Sequence, residues 1–146
     1  MTAEGLKKKE IISTQGGYVS TPSGDSMRPM LQGKRDSVLV KAATRPIRRG
    51  DVLLYEMADG THVLHRVIAV TKEGYKMRGD NCYAPEPLLQ EDGIIGVLEG
   101  FWRKNRYYAC DSHKGYRLYV GVWLFTFPLR RFCVRVKNKL KRIFGK

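Results

Sequence analysis

The chain has 146 residues, of which 42% are hydrophobic and 28% charged. This is a globular composition at the size of one ordinary domain, which excludes a disordered chain and two full cores. Its formal net charge of +13 is unevenly spread: residues 1–100 carry 14 Lys/Arg against 13 Asp/Glu, and residues 101–146 carry 13 Lys/Arg against Asp111 alone. The first hundred residues therefore read as a balanced soluble domain and the last third as a separate electrostatic device.

Met1 to Glu10 has basic residues with no apolar h-region behind them, unlike a secretory signal. Residues 1–17 are expected to be a flexible N-terminal lead-in. Short β-type runs follow, separated by turn signals: Val38–Ala42, Val52–Met57, His62–Val70, Tyr75–Arg78, Ile94–Phe101 and Arg106–Cys110. Asp59-Gly60 and Glu73-Gly74 mark hairpin-type turns. No long helical pattern alternates with these runs. The expected fold is therefore mainly β, built of antiparallel sheets over residues 18–117. Cys82, Cys110 and Cys133 are widely spaced and odd in number, which argues against a disulfide scaffold or a structural zinc site.

Residues 118–146 differ in character. Leu118–Leu129 is apolar and aromatic, too short to span a bilayer as a helix. Pro128 stands where a helix can begin. From Leu129, the residues Phe132, Cys133, Val136, Leu140, Ile143 and Phe144 fall on one helical face, with Arg130, Arg131, Arg135, Lys137, Lys139, Lys141 and Arg142 on the other. This pattern predicts a C-terminal cationic amphipathic α-helix. With Trp123 and the phenylalanines it suits an anionic membrane surface, and nucleic acid less well. The competing reading is a solvated helix packed on its own β body.

Four short segments carry candidate chemistry: Gly24-Asp25-Ser26-Met27-Arg28-Pro29, Gly50-Asp51-Val52, His65-Arg66-Val67 and Gly79-Asp80-Asn81, with Glu86 six residues beyond Asp80. Ser26 lies in a turn-prone stretch, where its hydroxyl can be presented at a sheet edge. A serine hydroxyl needs a base to take its proton. His65 is the candidate base, on a strand face shared with Val63 and Val67, and Asp80 and Glu86 are the carboxylates available to fix its tautomer. Pro85 and Pro87 stiffen the loop around Glu86. Asp51 is expected to be structural, His62 to lie on the surface and His113 in a loop.

Together, these residues from about Gly24 to Phe101 resemble the type I signal peptidase family, within the superfamily that includes self-cleaving SOS and phage repressors. Ser26 with Met27 and Pro29 is similar to its nucleophile box, Gly50-Asp51-Val52 to a structural strand box, His65-Arg66-Val67 to its base box and Gly79-Asp80-Asn81 to its last box. Bacterial signal peptidases typically carry lysine as base, so His65 resembles the Ser-His branch of endoplasmic-reticulum and archaeal enzymes. Glu86 stands where that branch has aspartate, and Gly24 where many members have an oxyanion-hole serine. The resemblance implies a signal-peptidase/repressor-like β-fold and a serine endopeptidase that cuts a signal or leader peptide from a precursor bound as an extended strand. It implies catalysis by Ser26 and His65 with Glu86 or Asp80 as orienter, an oxyanion hole of backbone N–H groups chiefly from Ser26, and no cofactor or metal. The family's N-terminal membrane anchor has no counterpart in these residues. Peripheral association through residues 118–146, with the cytoplasmic face favoured by the Lys/Arg-rich flank, is the matching expectation. Two alternatives stand beside it. One is a cytosolic self-processing peptidase of the repressor type, for which residues 1–20 are too short to form the usual DNA-binding domain. The other is a non-catalytic β domain that binds membrane or nucleic acid.

Overall fold

Short β-type runs bounded by turn signals carry the chain into seven strands in the computed structural model, which describes residues 1–84 and 86–144, with Phe144 described by its backbone alone. These are β1 (Tyr18–Ser20), β2 (Ser37–Lys41), β3 (Val52–Glu56), β4 (His62–Thr71), β5 (Gly74–Arg78), β6 (Ile94–Arg103) and β7 (Arg106–Ala109). They form one antiparallel sheet in the order β1-β2-β6-β3-β4-β5, with β7 paired to the far half of β6. The turns behave as their residues dictate. Gly60 takes φ +82° in the β3–β4 hairpin, where Asp59 Oδ1 accepts the Thr61 N–H. Lys104 and Asn105 both take positive φ in the two-residue β6–β7 turn.

Successive residues of a strand point to opposite faces, and the core divides accordingly. Val52, Leu64, Val38 and Val40 join Met27, Met30 and Leu31 on one face. Leu53, Tyr55, Val67 and Met77 pack with Leu89 and Ile94 on the other. Each such side chain buried contributes about 1.5–3 kcal/mol before the entropy of ordering it.

Three helices make the fold mixed α and β rather than mainly β: α1 (Ala3–Gln15), α2 (Lys114–Phe125) and α3 (Phe127–Phe144). In place of a flexible lead-in, α1 is capped by Thr2, which accepts the Gly5 N–H, and closed by Gly16 at φ +75°. Its sparse apolar residues draw no continuous stripe, yet Ile12 is 3% exposed in the core. The apolar-aromatic stretch after residue 114 is helical because one face of α2 seats on the sheet, through Tyr116, Tyr119 and Trp123. The last third is therefore not a separate device as far as α2 is concerned. Pro128 sits in the first turn of α3, where no helical N–H bond is lost. No helix among the described residues is long and apolar enough to cross a membrane.

Candidate functional site

The β3–β4 register places Leu53 opposite His65 and Tyr55 opposite Val63, so Tyr55 and His65 share one sheet face. His65 is buried there, and its Nδ1 lies 3.0 Å from the Glu86 carboxylate and 3.2 Å from the Tyr55 hydroxyl. Tyr55 donates to Glu86 at 2.7 Å, and the Gly79 N–H donates to the same carboxylate at 3.3 Å. Burial alone drives the Glu86 carboxyl upward, but hydrogen bonds from His65 and Tyr55 outweigh it and hold the group below its ordinary value. Tyr55 is pushed well above the usual phenol range by burial and by the Glu86 charge, so it stays a donor. An ionised Glu86 only accepts, so Nδ1 presents a proton to it, and Nε2 is the ring atom that makes no hydrogen bond among the described residues.

Ser26 is half-buried in the turn that follows Gly24, ahead of the cis Arg28–Pro29 peptide. Met27 and Met30 anchor that turn in the core. The Asn81 N–H donates to the Ser26 carbonyl at 2.7 Å, tying the turn to the loop after β5. Gly79 is required for this approach: a Cβ there would stand 2.7 Å from the Ser26 carbonyl oxygen, 2.7 Å from Cys82 Sγ and 3.0 Å from His65 Nε2. The Ser26 backbone and the free nitrogen of His65 thus converge on one point. Among the described residues no hydrogen bond joins the Ser26 hydroxyl to His65, and none takes the Ser26 N–H.

A cleft of about 300 Å³ runs beside Ser26, lined by Tyr18, Ser20, Gly24, Met27, Val40, Val63 and Leu64 among others. Both of its flanks are strand edges. Among the described residues β1 pairs only with β2, and β4 between His62 and His65 pairs only with β3, because β5 ends at Arg78, opposite Arg66. Unpaired backbone groups on strand edges are the general template for adding a further strand.

Among the described residues Asp80, one of the two carboxylates expected to orient His65, makes no hydrogen bond to that ring. Arg66, 1% exposed, holds Asp80 through two bonds of 2.7 Å, and Tyr119 donates to the same carboxylate at 2.9 Å. Arg66 also donates to the Gly50 carbonyl and to Tyr116. An arginine on a core strand demands such a partner, and that demand is the signal in the sequence that pairs Asp80 with Arg66. Asp51 is clasped by Arg45 through two bonds, a structural role as expected. His62 is not a surface residue: its ring lies against Glu56, and Lys8 of α1 reaches it. His113 caps α2 by accepting the Tyr116 N–H. Trp123 and Arg130, expected on a lipid-facing surface, turn inward. The indole donates to the Asp80 carbonyl, and the Arg130 guanidinium lies 3.5 Å above the Trp123 ring. Pro85 lies outside the described residues, as does the Phe144 side chain.

Two side chains at the site escape the sequence reading. Tyr55 is one, detectable only once register is known. Cys82 is the other: its thiol, His65 and Glu86 each offer a ligand atom within 4.8 Å of the others. Burial, then the Glu86 charge, push the Cys82 thiol up, so it stays protonated and poorly nucleophilic. Among the described residues all three cysteines are free. Compared with known proteins, the chain matches no family model and no curated sequence.

Proposed function

We propose that this chain is a serine endopeptidase that cuts a signal or leader segment from a precursor polypeptide, on a signal-peptidase-like β scaffold. The observation that carries the reading is the Glu86–His65 pair at 3.0 Å, with the opposite ring nitrogen turned to the point beside Gly79 that the Ser26 backbone also approaches. The substrate adds as an extended strand between the open edges of β1 and β4, its scissile carbonyl over Ser26. The Ser26 hydroxyl attacks that carbonyl carbon while His65 Nε2 takes its proton, and Glu86 steadies the resulting imidazolium. The Ser26 N–H holds the oxyanion. Collapse breaks the C–N bond, and His65 returns the proton to the leaving amine. Water then adds to the ester with His65 again as base, which releases the acid and restores the Ser26 hydroxyl.

The decisive test is turnover of a peptide library by wild type and Ser26→Ala, read by mass spectrometry. Cleavage by wild type and none by the variant is expected; equal cleavage by both sinks the proposal.

The closeness of Cys82, His65 and Glu86 favours one second reading. Mixed S, N and O donors suit a zinc-like ion, which would activate water with no need of Ser26. Activity lost to a chelator and untouched in Ser26→Ala selects that reading over the first.

A further inference from the structure

From Leu118 to Ile143 a large apolar residue recurs every third or fourth position across α2, the Thr126 junction and α3. This row faces away from the protein. Leu118 is 70% exposed, Phe125 85%, Leu129 65%, Phe132 64% and Ile143 62%, with valine or leucine at the intervening turns. The junction preserves helical phase: the Thr126 N–H bonds to the Val122 carbonyl, and the Arg130 N–H bonds to the Thr126 carbonyl. At 1.5 Å per residue the row is about 40 Å long. Soluble monomers seldom leave so much apolar surface contiguous and uncovered.

The row is not free to fold back on its own sheet, because the opposite face of α2 and the start of α3 are already committed. Tyr119 and Trp123 are bonded to Asp80, and Phe127 stacks on Tyr83. The solvated-helix reading, in which the stripe packs on the β body, is thereby set aside. What covers the row is constrained by charge. Arg131, Arg135, Lys137, Lys139, Lys141 and Arg142 are all exposed around it, and Asp111 is the lone acid of residues 101–146. A second copy would set like charges against each other. Nucleic acid would neutralise the cations and leave Phe125 and Phe132 in water. A surface both anionic and apolar just beneath satisfies the two demands together.

We propose that α2 and α3 lie in the plane of an anionic lipid bilayer surface, the apolar row immersed at the acyl boundary and the cations among the headgroups. The site is independent of the peptidase reading. It also fixes orientation, since Trp123 on the inner face of α2 holds Asp80, in the loop that holds Ser26.

The test is flotation of the full chain with vesicles of phosphatidylcholine mixed with phosphatidylglycerol, against phosphatidylcholine alone. Binding to the mixed vesicles only, weakened by salt, is expected. The Phe125→Glu/Phe132→Glu double variant should bind at least about tenfold more weakly with unchanged thermal melting. The Lys137→Glu/Lys141→Glu variant, which leaves the apolar row intact, should also lose binding to mixed vesicles. No wild-type binding to mixed vesicles overturns the proposal. So does binding that survives both variants, and so does preferential capture of duplex DNA or of a second copy, read by sedimentation velocity.

Discussion

Asp80 and Glu86 leave the same loop six residues apart and meet opposite environments. Asp80 enters a closed hub in which Arg66, Tyr119 and the rings of α2 satisfy every oxygen. Glu86 enters a half-open one and spends its bonds on a histidine whose other nitrogen is left over. The difference separates roles that residue type alone does not. A carboxylate bound to a permanent cation holds a fold together. A carboxylate bound to an imidazole can leave the far ring nitrogen open, as at Glu86 and His65, or meet a ring engaged on both sides, as at Glu56 and His62.

The comparison breaks most sharply at His65. His65→Ala should remove peptide cleavage by many powers of ten while leaving the unfolding midpoint within a few degrees of wild type; a large stability loss would make His65 a packing residue instead. Glu86→Gln comes next, with kcat falling about 10²- to 10⁴-fold by analogy with other triads and a small change in KM. Asp80→Asn should do the reverse. It leaves the Arg66 guanidinium buried with half its partner gone and costs about 3–5 kcal/mol in urea unfolding; stability equal to wild type would dissolve the contrast. Gly79→Ala sits between the two, because its methyl strikes the Ser26 carbonyl and Cys82. It should cost about 1–3 kcal/mol and most of the activity.

The smallest effect lies in pH. Glu86 ionises below its ordinary value in the folded state. Its contribution to stability is thus complete above the ordinary carboxylate range and is lost as pH falls through the lowered value. Stability measured by denaturant across the acid range should fall less steeply in Glu86→Gln than in wild type.

Much of the sheet is legible in the sequence because β-branched, leucine and aromatic residues gather there in short runs bounded by Asp-Gly and Glu-Gly turns. Val52–Met57 is observed as Val52–Glu56, and His62–Val70 as His62–Thr71. What escapes has a physical reason in each case. α1 is held by one deep contact, Ile12, and by Thr2 and Lys8 reaching Glu56 and His62, none of which draws a stripe. β1 is three residues long. Trp123 belongs to a helix with two apolar faces, and composition cannot say which one meets the sheet. At the site, the sequence leaves Asp80 and Glu86 both open as neighbours of His65. Arg66 decides between them, since a guanidinium 1% exposed must take the nearest carboxylate on its own side of the strand.

The stretch from Gly79 to Glu86 grips the Ser26 turn at one end, through Asn81, and the His65 ring at the other, through Glu86. Ser26 and His65 consequently hang from a single short bracket, and a length change of even one residue would displace them in the same stroke. Directed evolution of the cleft is therefore best confined to its rim at Ser20–Gly24, with the bracket kept at its present length.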